Sequence, residues 1–343
     1  MDVKLFDYYL PEQLISQSPS KIRDECRLLS YNKNTKEFKD EIFKDILKYF
    51  SKDDVLVINT TRVIPCRLFA IKEETKAHIE ILMLRDLGND VWKCLIGNAK
   101  TAKIGSRFYI NDNLSCEVVE ILPEGIRHMK FFYKGILMEE LDKIGEMPLP
   151  PYIHKKIDDK NLYQTIYAKQ LGSAAAPTAG FHFTNELLSK IKEKGTKIVE
   201  VILHVGLGTF RPVKVEDTKD HKMHEEEYFI NEESAEALNY AYKNNKRIVA
   251  CGTTSVRVLE SNFSKYGSFK PTHEFTDIFI EPGYKWKVVN ALITNFHLPK
   301  STLLMLVSSF MGREEVLRCY EHAIEEKYRF FSFGDAMFIY GKD

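Results

Sequence analysis

Half of the ten histidines in this chain, His182, His204, His221, His224 and His297, stand in or beside short polar turns. Imidazole is the side chain best matched to moving protons near neutral pH, which makes His182, His204, His221 and His297 the candidate catalytic residues. For any single one of them, a structural histidine bonded to a backbone carbonyl is the alternative. The turns are NTTR (59–62), HVGLGTFRPV (204–213), CGTTSVR (251–257) and TNFHLPKST (294–302). Their small residues leave amides uncovered, and those amides can hold a carboxylate or ribose hydroxyls. Gly206, Gly208, Thr209, Thr253, Thr254, Ser255 and Asn295 are therefore candidate substrate-binding positions, with Arg211 and Arg257 available to neutralise anionic groups. A fifth stretch, GSAAAPTAGFHFT (172–184), has no long charged side chain and ends near His182. Its bare backbone adds Pro177, Thr178, Ala179 and Gly180 to the binding set, unless the stretch is simply a small-residue connector.

Several familiar chemistries are absent. His221 and His224 have a spacing that could bind a metal, but no H-E-x-x-H pattern accompanies them, and no metal site is expected. GLGTFR carries G-x-G without a third glycine, no G-x-x-x-x-G-K-[ST] occurs, and no G-x-S-x-G marks a serine nucleophile.

These residues need elements to bring them together. DVLVI (54–58), KIVEVILHV (197–205), Arg247–Cys251 and Ala291–Ile293 read as strands, each ending at one of the four turns. Helices are expected at about 43–50, after Thr184, over 234–244, from Thr254, and over 301–311 and 313–326, with a further strand near Asp277–Ile280. Such alternation predicts an α/β domain with a mostly parallel sheet, and loops at the carboxyl ends of parallel strands converge in space. From Val63 to about Gly135 the texture changes to short β-rich runs: IPCRLFAI, HIEILML, DVWKCLIG, RFYI, LSCEVVEIL and HMKFFYKG. These predict a small antiparallel barrel inserted into the larger domain. The expected division is residues 1–62 plus 150–343 for the α/β domain and 63–149 for the barrel, with the Pro-rich GEMPLPPYI as the return linker.

The 343 residues are 44% hydrophobic and 29% charged, with Lys+Arg and Asp+Glu equal at 49 each. That balance supplies no global positive field, so a nucleic-acid partner has to be met by local patches. Six widely spaced cysteines form no C-x-x-C pair, and the longest apolar run is too short to span a bilayer. A cytoplasmic protein without a membrane partner is expected.

The chain resembles the S-adenosylmethionine:tRNA ribosyltransferase-isomerase family of queuosine biosynthesis. The resemblance runs through FDYYLPEQLISQSPSKIRDECRLL, NTTRVIPCRL, GEMPLPPYI, YQTIYAKQLGSAAAPTAGFHFT, LHVGLGTFRPV, HKMHEEEY, ACGTTSVRVLES, ITNFHLPKSTLLMLVSSF and YRFFSFGDAMFIY. Phe181, Glu146 and Glu225 depart from the family pattern, in which Leu, His and Ser respectively are usual. The resemblance implies an α/β domain interrupted by a barrel. It also implies transfer and isomerisation of the ribosyl part of S-adenosylmethionine onto 7-aminomethyl-7-deazaguanine at the wobble position of a tRNA with a GUN anticodon, giving epoxyqueuosine, adenine and methionine. S-adenosylmethionine is then a substrate, no cofactor is needed, and a monomer suffices.

An RNA substrate would meet phosphate contacts at Lys93, Lys100, Lys103 and Arg107 in the barrel and at Lys155, Lys156 and Lys160 after it, although solvated surface lysines are the alternative. Two rival readings are a non-catalytic tRNA-binding module and an enzyme that acts on a free nucleoside.

Overall fold

The computed structural model describes residues 1–155, 157, 159–206, 213 and 215–341. The chain opens with short 3-10 turns and the hairpin β1 (Arg27–Asn32) and β2 (Glu37–Ile42). A further 3-10 segment, Phe43–Tyr49, leads into β3 (Asp54–Asn59), whose six residues are all buried, and then β4 (Thr61–Val63). Six strands follow: β5 (Arg67–Lys72), β6 (His78–Asp86), β7 (Val91–Ile96), β8 (Arg107–Asn111), β9 (Leu114–Ile121) and β10 (Ile126–Tyr133). They close into an antiparallel barrel in the order β10-β7-β6-β5-β8-β9. Alternation along them sends Leu68, Ile81, Trp92, Phe108, Val118 and Phe131 inward. Cys66, Cys94 and Cys116 are buried free thiols that pack with these side chains as small hydrophobes. Helix α1 (Leu137–Ile144) follows the barrel, and reciprocal backbone bonds between Arg67 and Glu146 tie the return segment to the start of β5.

The second passage through the larger domain begins at β11 (Gln170–Ser173), which pairs in parallel with β4. Helix α2 (Asn185–Glu193) is started by Thr184, whose Oγ1 accepts the Leu187 N–H at 3.1 Å, a cap worth about 1 kcal/mol. Then come β12 (Lys197–Leu203), β13 (Glu226–Ile230), α3 (Glu232–Lys243), β14 (Arg247–Cys251), α4 (Gly252–Tyr266), β15 (Thr272–Thr276) and β16 (Ala291–Asn295). Helices α5 (Thr302–Met311) and α6 (Arg313–Glu325) precede the last strand, β17 (Ala336–Tyr340).

Nine of these strands form one sheet in the order β15-β13-β12-β3-β14-β16-β17-β1-β2. The sheet is mixed. Parallel pairing links β12, β3, β14 and β16 and also joins β1 to β17, whereas β13, β15, β2 and the β16–β17 pair are antiparallel. The α/β domain with a barrel is the architecture expected from the sequence. Strands β3 and β16 are buried throughout, as central strands covered by helices on both faces should be. Strand β12 is different: Val199, Val201 and Leu203 are buried, and Ile198, Glu200 and Ile202 are only half-buried. It stands where the sheet turns antiparallel. The apolar DIFI segment lies just past β15 instead of forming a strand. Ile280 is buried in the core there, so its hydrophobicity signals burial and not ladder pairing. Helix α5 is nearly all core, and each fully buried Leu or Val contributes about 1.5–3 kcal/mol.

Candidate functional site

The four turns singled out in the sequence follow β3, β12, β14 and β16, and these are four adjacent parallel strands. Their carboxyl ends therefore open on one edge of the sheet, where open α/β sheets bind ligands. The small-residue stretch crosses the same edge. Its Ala174 N–H donates to the Val205 carbonyl, and Ser173 Oγ accepts the Val205 N–H at 2.8 Å. Gly252 turns β14 directly into α4 with φ +84°, a conformation that L side chains rarely adopt, and its open face lies against Ala179.

Two cavities flank the end of β12. One, of about 60 Å³, is lined by Pro177, Thr178 and Ala179 from the small-residue stretch, Thr253 and Thr254 from α4, and Asn295 and His297 beyond β16. The other, of about 730 Å³, lies between the barrel and the α/β domain and is lined by His204, Gly206, Gly172, Trp92, Lys93, Glu225 and Glu227, among others. Val205 faces the first, and His204 and Gly206 face the second. The smaller space takes a fragment of a ligand, whereas the larger lies in the range that holds a whole nucleoside-sized molecule.

The histidines have different surroundings. His182 is buried with both ring nitrogens engaged, Nδ1 to Cys26 Sγ at 2.9 Å and Nε2 to the Asn295 amide at 3.1 Å. Burial lowers its pKa to about 4, which keeps it neutral. Through Asn295, whose Oδ1 accepts the Thr178 hydroxyl at 2.9 Å, it braces the wall of the smaller cavity. His297 sits in that wall with Nε2 on Thr294 Oγ1 at 2.7 Å, and burial lowers its pKa to about 3. The Tyr8 and Tyr320 hydroxyls hold its backbone carbonyl and N–H. His204 Nδ1 and Thr61 Oγ1 share a hydrogen bond of 2.8 Å. Burial lowers its pKa too, but the Glu227 carboxylate pulls the other way. Gly172, in a register shift between β11 and β4 with φ +144°, packs against the His204 ring, and a Cβ there would lie 2.8 Å from Cε1 and Nε2. His221 lines neither cavity and packs on Phe279.

Other candidates are used differently from the sequence expectation. Ser255 Oγ donates to the carbonyl of Cys251, the residue that ends β14 just before its helix. Arg257 is buried in an ion pair with Glu226, which also accepts the Gly206 N–H at 2.8 Å, so its charge is already matched. Gly180 is buried beneath the Tyr167 hydroxyl. Thr254 Oγ1, by contrast, is buried at the smaller cavity with no hydrogen-bond partner among the described residues. Gly208, Thr209, Arg211 and Lys156 lie outside the described residues.

Among the candidate RNA contacts, Lys93 on β7 borders the larger cavity, while Arg107 on β8 is exposed and bonded to Glu117. Strands β7 and β8 stand on opposite sides of the barrel, so Lys93 and Arg107 do not share a face. Lys100 lies in the 3-10 turn Ala99–Thr101, Lys103 and Lys155 are exposed, and Lys160 donates to the Asp142 carbonyl. Sequence reasoning missed the Cys26–His182 contact, Tyr8 and Tyr320, and the His204–Gly172 packing. All join residues far apart in the chain.

A family model described as queuosine biosynthesis protein matches residues 3–339. Among solved structures, the crystal structure of an S-adenosylmethionine tRNA ribosyltransferase from Thermotoga maritima is 36% identical, covering 98% of this chain and 99% of its own, with a TM-score of 0.55.

Proposed function

This chain belongs to the queuosine biosynthesis protein family, and from that premise we propose that it transfers and isomerises the ribosyl moiety of S-adenosylmethionine onto a tRNA base. The acceptor is 7-aminomethyl-7-deazaguanine at the wobble position of a GUN anticodon, and the products are epoxyqueuosine-tRNA, adenine and methionine. A monomer carries out the reaction. One observation carries this reading: the carboxyl ends of four adjacent parallel strands and the small-residue stretch meet at one edge, beside His204, His297 and the buried His182.

The chemistry asks for what that edge offers. The sulfonium acidifies the neighbouring ribose C5′–H, so a neutral base in a water-poor site can take the proton without a metal or cofactor. His204 is the base in this reading. Its Nδ1 is held by Thr61, and it faces the cavity large enough for a nucleoside. His182 and His297 are poorer bases because burial drives their pKa values far down, and they serve as braces. Loss of adenine, attack by the neutral aminomethyl nitrogen and cleavage of the ribosyl C–S bond, which expels methionine, then place the ribosyl group on the RNA. Thr254 Oγ1 and the amides of Thr178, Ala179 and Thr253 position the ligand.

The test is adenine release in single turnover, with S-adenosylmethionine and an anticodon stem-loop bearing the aminomethyl base each omitted in turn. Release that needs both supports the reading. Release with the free base alone, or RNA binding without release, contradicts it. His204→Ala should lower the rate about 10²- to 10⁴-fold while S-adenosylmethionine still binds. Wild-type rates in all four histidine variants would remove proton transfer from these residues.

A further inference from the structure

The larger cavity has a feature that the reaction scheme above does not use. His204, Glu227 and Phe275 form one lateral row across three neighbouring strand ends: the His204 N–H donates to the Glu227 carbonyl, and Glu227 is paired with Phe275 between β13 and β15. Residues opposite one another across antiparallel strands point to the same face, and each step is about 5 Å, so Phe275 stands roughly 10 Å from His204. A ring contact reinforces the same face, because Phe229 stacks on His273 at 4.0 Å and meets His204 edge-on at 5.6 Å. From the opposite side of the cavity, Arg85 on barrel strand β6 lays its guanidinium over the Phe275 ring at 4.1 Å. This contact links the barrel to the α/β domain.

The Arg85 side chain has neither a hydrogen bond nor an ion pair among the described residues, and Phe275 remains 40% exposed on an edge strand. A flat cation and an aromatic face, stacked on one another in the lining of a nucleoside-sized cavity, are the two surfaces on which unstacked nucleobases are held. Lys93 borders the same space, its side chain also without a hydrogen bond or ion pair among the described residues, and can meet a phosphate of the incoming strand. We propose that Arg85 and Phe275 form the stacking platform that receives the base extruded from the RNA loop, opening their mutual contact to clasp it within reach of His204. This rests on the reading of the chain as an enzyme acting on an RNA base, and it assigns recognition of that base to a surface shared by both domains.

The probe is an anticodon stem-loop with 2-aminopurine at the wobble position, whose fluorescence is quenched on stacking and which needs no turnover. Wild-type protein should quench it. Phe275→Ala and Arg85→Ala should each lose the quench and raise the Kd for the stem-loop about 5- to 100-fold. Phe275→Trp should retain both, and S-adenosylmethionine binding should be unchanged in every variant. Wild-type quench and affinity in Phe275→Ala and Arg85→Ala would overturn the platform while leaving the catalytic reading intact. A wild-type protein that binds no stem-loop would overturn both.

Discussion

Gly172→Ala is the sharpest single perturbation of the proposed base, because it touches His204 without altering any ionisable group. The new Cβ would lie 2.8 Å from both Cε1 and Nε2, where carbon contacts relax at about 3.5–4.0 Å. Something must move by most of an ångström. The ring resists, since swinging away breaks the 2.8 Å bond between Nδ1 and Thr61 Oγ1, which contributes about 1 kcal/mol. The backbone resists as well, because φ +144° costs a non-glycine residue about 1–3 kcal/mol. A stability loss of about 2–4 kcal/mol is therefore expected from strain and the lost bond together. The rate should fall further than stability implies, because a base misplaced by about 1 Å can cost about 10²-fold. The assay is a double-mutant cycle in single-turnover adenine release, with urea unfolding of each variant in parallel. If Gly172→Ala acts through the imidazole, its rate loss should vanish on a His204→Ala background, where the added methyl has room. Fully additive rate losses would refute the argument, as would a Gly172→Ala protein with the wild-type rate.

Other expectations follow from the same geometry. Thr254→Val removes a buried hydroxyl that has no partner among the described residues, so stability should stay level or rise by about 1 kcal/mol while the Kd for S-adenosylmethionine rises about tenfold, as calorimetry can check. Arg257→Met breaks the buried ion pair with Glu226 and should cost about 3–5 kcal/mol in urea unfolding, with Glu226→Gln on the same background recovering part of it. Below pH 6.5 the unfolded chain takes up a proton that folded His182 refuses until about pH 4. Unfolding free energy should therefore fall across that window by roughly 3 kcal/mol from this residue, and His182→Gln should flatten the profile. Because the sulfonium itself activates the ribose proton, dialysis against EDTA should leave adenine release unchanged, and a loss restored by a divalent ion would contradict the metal-free scheme.

Much of the fold was legible because the barrel strands carry clean alternation and the central strands carry unbroken apolar runs. The four turns were legible as turns at strand ends. Their convergence was not, since it depends on β12, β3, β14 and β16 being neighbours although they come from distant parts of the chain. For the same reason Arg257 read as a free cation: it lies on α4, and its partner Glu226 sits 31 residues upstream on β13. The polar strand THEFT (272–276) was hidden because an edge strand needs little apolar character, and the neighbouring DIFI drew the strand assignment to itself. Arg85 and Phe275 carry no local signal, because each is an ordinary surface residue until the barrel is set against β15.

The most direct measurement of the central claim is mass analysis of the stem-loop after reaction with S-adenosylmethionine labelled with carbon-13 in either the ribose or the methyl group. Ribosyl transfer predicts that the full ribose label enters the RNA and that the methyl label leaves with methionine. Methyl label in the RNA, or an RNA of unchanged mass, would contradict it.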